Sequence, residues 1–123
     1  MRKLLTVLTV LASTMSIPSI AATSGSMFAG PKADIAGVTA AAHTVDPKAQ
    51  VGGAHVAGDY ALLQLYFPPY ASGVAIFKRT SGEQWKKLTW GGGALGGSPT
   101  SFGVPVLIST ELCSGWPPGR SAC

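Results

Sequence analysis

From Leu4 to Ala12 the chain is almost unbroken apolar residue, carrying only small hydroxyls, after a basic start at Arg2 and Lys3. Pro18 interrupts it, and Ser19-Ile20-Ala21 supplies the small residues a signal peptidase reads. A run this short does not cross a bilayer as a helix, which takes about 20 residues. The pattern predicts a cleavable export signal over residues 1–21. Residues 22–33 are mostly small and polar, with one Met and one Phe, and read as a flexible leader. A single domain is expected over 34–123.

Further on, the pattern changes period. "DIAGVTAAAH" places Ile35 and Val38 on one helical face behind Asp34, a residue suited to capping a helix start. Asp46-Pro47 ends any helix there. Gly37, Val38 and Thr39 all lower its propensity. "AQVGGAHVA" and "YALLQLYF" are extended in character, and Gly58-Asp59 between them predicts a tight hairpin. Alternation along the second run points Ala61, Leu63, Leu65 and Phe67 to the core and Tyr60, Leu62, Gln64 and Tyr66 the other way. Pro68-Pro69 stops this strand. "GVAIFKR", the turn "TSGE" and "QWKKLTW" extend the series to an antiparallel meander of about four strands. Ser98-Pro99 and Val104-Pro105 open two short helices, with Leu107, Ile108 and Leu112 available for packing. The expected fold is α+β, a small antiparallel sheet with short helices on one face.

Composition narrows the class. With 123 residues, 46% apolar and only 11% charged, the chain can build a core and is not a disordered segment. Sixteen Gly and nine Pro suit many turns. The formal charge of +4 falls to +2 when Arg2 and Lys3 leave with the signal, so nucleic acid is not an expected partner.

Candidate chemistry is sparse. "WGGGALGGSPT" meets G-x-G-x-x-G through Gly91, Gly93 and Gly96, but the preceding strand belongs to a meander, not to a parallel βαβ unit. Gly97 stands where a phosphate-binding loop needs lysine. The loop is therefore expected to be a backbone device, and no cofactor is expected. His43 and His55 lack further metal ligands at a recognisable spacing. No G-x-S-x-G elbow is present, and the five acids are scattered. Tyr60, Tyr66 and Trp90, with Lys78, Arg79, Lys86 and Lys87 nearby in sequence, form the candidate binding surface, an aromatic and basic face of the kind that stacks ligands. Cys113 and Cys123 are the only cysteines. Both lie in the exported part, and the turn-rich "SGWPPGRSA" between them lets them pair.

A longer pattern links these pieces. Val56, Gly58, Asp59, Tyr60 and Ala61, then Gly73, Val74 and Ala75, then Gly82 and Trp85, then Gly91 to Leu95, then Gly103, Val104 and Pro105 follow in order. This resembles small exported bacterial proteins with a V-x-G-D-[YW]-A strand, a G-x-W turn, a glycine loop and a GVP helix start, and is similar to accessory proteins of copper uptake. "PPYAS" and the terminal cysteine loop depart from that plan. The resemblance implies a fold but no established activity, and no metal-binding residue carries over from it. The expectation is a periplasmic or secreted, monomeric, non-enzymatic binding or accessory domain. The alternatives are a metal-handling accessory protein and a small hydrolase-like enzyme.

Overall fold

The structure, a computed structural model, describes residues 25–93, 95 and 97–123. The predicted export signal lies outside these residues. Five strands, β1 (Phe28–Ala29), β2 (Gln50–Ala57), β3 (Tyr60–Phe67), β4 (Ala71–Arg79) and β5 (Trp85–Gly92), form one sheet in sequence order. Helix α1 (Lys32–Val45) joins β1 to β2, and helix α2 (Val106–Cys113) follows a 3₁₀ turn at Pro99–Phe102. The chain is thus an α+β domain with a small sheet, as its pattern predicts.

β2 to β5 are the expected antiparallel meander, with the β2–β3 turn at Gly58-Asp59. The added strand is β1, which pairs in parallel with β2, Phe28 opposite Ala54 and Ala29 opposite His55. Parallel neighbours need a crossover, and α1 supplies it. From Ser26 onward, therefore, the segment read as a leader belongs to the fold. The Ser26 amide donates to the Gly115 carbonyl at 2.9 Å, and Ala54 donates to Met27 at 2.8 Å. Helix α1 starts at Lys32 behind Pro31, so Asp34 sits in its first turn instead of capping it.

The two helices do not share a face of the sheet. Val38 and Ala42 of α1 pack on Ala54, Ala61, Leu63, Leu65, Ala75 and Phe77. On the other face Leu112 of α2, with Trp116 and Val104, packs on Ala57, Leu62, Val74 and Ile76. The central strands are consequently buried on both sides, and Leu62 is as inaccessible as Leu63. "LLQL" and "VAIF" already hinted at this, because a run apolar on both alternating sets needs two covers. Leu107 is 84% exposed, as α2 turns Ile108, Ser109 and Leu112 to the sheet instead.

A β-bulge sets the aromatic side chains of β5. Thr89 pairs with Ile76 and Lys87 with Phe77, leaving Leu88 without a partner. Strict alternation would put Trp85 and Trp90 on opposite faces. The extra residue brings both to the α1 side, while Leu88 packs on the α2 side. Gly37 of α1 faces Trp85, and a Cβ there would come within 3.1 Å of the indole nitrogen. The glycine that weakens the helix on propensity therefore makes room for a tryptophan.

Candidate functional site

The three aromatic residues expected to form a binding surface are not brought together. Trp90 is half-buried on the α1 face, edge-on to Phe67 at 5.9 Å and to Phe77 at 6.3 Å between ring centroids. Tyr60 and Tyr66 lie at opposite ends of β3 on the α2 face. Tyr60 is half-buried beneath the Lys78 ammonium, 5.8 Å from its ring centroid. Tyr66 is 40% exposed, and its hydroxyl donates to the Pro69 carbonyl at 2.5 Å. Between them the amide of Gln64 donates to the carbonyl of Arg120, so the C-terminal loop crosses the strand and divides the face. The sequence could not reveal that crossing, since it depends on a contact between residues far apart in the chain.

The histidines are likewise separated. His43 is exposed on α1, while His55 is 3% exposed on the α2 face of β2. Nε2 of His55 lies 2.8 Å from the Ser26 carbonyl, which makes that nitrogen the protonated one. Trp116 stacks on the ring at 3.8 Å with planes 7° apart. The indole N–H donates to the Leu112 carbonyl at 2.7 Å, closing the end of α2. Gly53 leaves the space under Trp116, and a Cβ there would come within 2.8 Å of the indole. His55 is thus a bonded, stacked core residue. Among the described residues no three His, Cys, Asp or Glu side chains gather as a metal would require.

Arg79 gathers two carboxylates, Asp34 and Asp59. Its guanidinium donates to Asp34 at 2.5 Å, to Asp59 at 3.2 Å and to the Gly58 carbonyl at 2.8 Å, and it lies 4.7 Å over the Trp85 ring. Asp34 foremost raises its pKa above the ordinary arginine value, against the opposing cost of burial. This network ties α1, the β2–β3 turn and β4 together at one end of the sheet.

Cys113 and Cys123 are joined as a disulfide, with Cα atoms 5.6 Å apart. The loop they close lies against the end of the sheet where β5 runs into the glycine loop. Gly91 and Gly92 are the last residues of β5, and only then does Gly93 take a left-handed φ of 76°. The Gly93 amide donates to Ser72 at 2.8 Å. An open cleft of about 300 Å³ remains there, lined by Gln64, Ser72, Gly93, Arg120 and Ser121.

A second cleft, of about 370 Å³, opens between α1 and β5. Gly37, Ala41 and Val45 line it from the helix, and Phe77, Trp85 and Lys87 from the sheet. Sequence reasoning missed it. The signal was present as small residues four apart, Gly37 and Ala41, on the helix face that meets a tryptophan-bearing strand. Compared with family models, curated proteins and solved structures, the chain matches none of them.

Proposed function

We propose that this chain is an exported, non-enzymatic domain that binds a partner in a surface cleft. The observation that carries the reading is that one histidine, the arginine of β4 with two carboxylates, and both cysteines are committed to holding the fold, while among the described residues His43 stands alone and exposed on α1. His55 is stacked and hydrogen-bonded, Arg79 joins Asp34 to Asp59, and the cysteines are bridged. Catalysis needs such groups convergent and available to a substrate. The first cleft instead combines glycine backbone with small and polar side chains, and the second sets small helix residues against Phe77 and Trp85, compositions of contact surfaces. The disulfide fits an oxidising compartment and so supports export.

The test places a photo-crosslinking amino acid at position 72, in the first cleft, at position 87, in the second, or at position 48, outside both. Protein carrying it is irradiated with envelope and culture-medium fractions of the source cell. The expected result is a saturable adduct from position 72 or 87 and none from 48. Chromogenic ester, peptide and glycoside substrates should meanwhile show no turnover. Equal adducts from all three positions, or turnover abolished by His43→Ala, would overturn the proposal.

A further inference from the structure

We infer that the outer edge of β5 docks an extended, acidic peptide segment as an added strand, with alternate side chains entering the cleft beside α1. The inference deepens the binding reading above and rests on it. Two independent features meet along this edge. β5 is last in the sheet, and among the described residues no strand pairs with its outer side. Such an edge presents free backbone donors and acceptors to another chain. The cleft between α1 and β5 runs beside the same residues, with Trp85 and Lys87 as its sheet wall. A strand added to β5 would point every second side chain towards that face. Gly37 is covered by the Trp85 indole, and beyond it Ala41 and Val45 form the helix wall of a space of about 370 Å³, which admits apolar side chains of moderate size. The bulge at Leu88 breaks the regular edge, which confines docking to the Trp85–Lys87 half, the half that borders the cleft.

Charge selects the occupant. The other set of partner side chains would meet the α2 face, where Lys86 stands directly across from Lys78. Like charges opposite one another on a sheet are destabilising. Neither lysine forms an ion pair among the described residues, whose salt bridges both belong to Arg79. Lys78 leans over Tyr60, and Lys86 is exposed at the open edge. An acidic residue of an added strand would lie next to Lys86 and relieve this repulsion. A second copy of β5 would do the reverse, since edge-to-edge pairing sets Lys86 and Lys87 of one copy against the same pair of the other. The edge is therefore built against itself and complementary to a strand alternating acidic with apolar residues.

The probe is a capped hexapeptide of alternating glutamate and valine, titrated into isotope-labelled protein with amide shifts as the readout. Two controls are the same peptide with lysine for glutamate, and the glutamate peptide N-methylated at alternate backbone positions to block pairing. Saturable shifts confined to residues 84–88 and to the facing turns of α1 are expected. The N-methylated peptide should bind at least tenfold more weakly. Lys86→Glu, an exposed change that leaves the fold intact, should weaken the glutamate peptide at least tenfold and strengthen the lysine peptide. Equal binding of both charge types, indifference to N-methylation, or concentration-dependent dimerisation through β5 would overturn the inference. A crosslink at position 72 with no peptide shifts at β5 would refute this site while leaving the binding-domain reading standing.

Discussion

At the scale of single residues, glycines of similar appearance in sequence carry different burdens. A Cβ on Gly73 would overlap the carbonyl oxygen of Gly91, a backbone atom that cannot turn aside. A Cβ on Gly53 would press on the Met27 carbonyl and on Trp116, both at 2.8 Å. Gly91 itself has nothing within 4 Å of its missing Cβ and an ordinary strand conformation. Gly73→Ala and Gly53→Ala should therefore each cost about 1–3 kcal/mol by overpacking. Gly91→Ala should stay within about 0.5 kcal/mol of wild type. Chemical denaturation of the three variants checks this, and an equal loss in all three would show that the contacts do not decide it. Gly91 opens the glycine run that looked like one device. In the fold, its first two residues are strand, and the left-handed turn falls on Gly93. Composition marks such a run as turn-prone but cannot say which residue turns.

Among elements, alternation along β3 was legible and half the burial was not. The inward set of Ala61, Leu63 and Leu65 is buried, as its period requires, with Phe67 half-buried at the strand end. The opposite set was read as outward, yet Leu62 is fully buried beneath α2 and its flanking loops. An apolar residue on both alternating sets hints at a second cover, but local periodicity cannot say that residues 104–122 supply it. Leu63→Ala and Leu62→Ala should thus both lose about 2–5 kcal/mol, while Leu107→Ala, on the exposed side of α2, should lose almost nothing. A Leu62→Ala loss as small as that of Leu107→Ala would mean α2 does not seat on the sheet. The Arg79 latch between elements grades its two partners by exposure. Its side chain is 19% exposed and that of Asp34 20%, whereas Asp59 is 68% exposed. A double-mutant cycle should give Arg79 with Asp34 a coupling of about 1 kcal/mol or more, and Arg79 with Asp59 close to zero. Because the Arg79 pKa is raised in the fold, its contribution is fully present at neutral pH. It fades only as the pH rises through arginine's strongly basic range. Coupling to Asp59 as large as to Asp34 would contradict this ordering.

Across the whole molecule, both termini of the described chain close on the α2 face, and the bridge is what keeps the later one there. The pairing of Cys113 with Cys123 was legible because two cysteines in a chain expected to meet an oxidising compartment have few alternatives. Where the loop would lie was not, since that depends on Gln64 and Arg120, 56 residues apart. The bridge acts on a segment with two kinds of hold. Trp116 is anchored independently, through its stack on His55 and its bond to Leu112. Residues 119–123 rest on the Gln64 contact, on buried Ala122 and on the disulfide. Losing the bridge in a paired Cys113→Ser and Cys123→Ser variant should cost about 2–3 kcal/mol for a loop this short. At about 4–8 °C per kcal/mol for a domain near a hundred residues, Tm should fall by roughly 10–20 °C. The loss should also be local in its first effect. Amide exchange should accelerate at residues 119–123 and at Gln64, and the cleft beside Ser72 should open, before His55 and Trp116 lose their stacking. Near-ultraviolet circular dichroism follows the buried tryptophan while exchange follows the loop. If both signals collapse together in the bridgeless variant, the two ends of the α2 face form one cooperative unit and the separate anchoring of Trp116 is refuted.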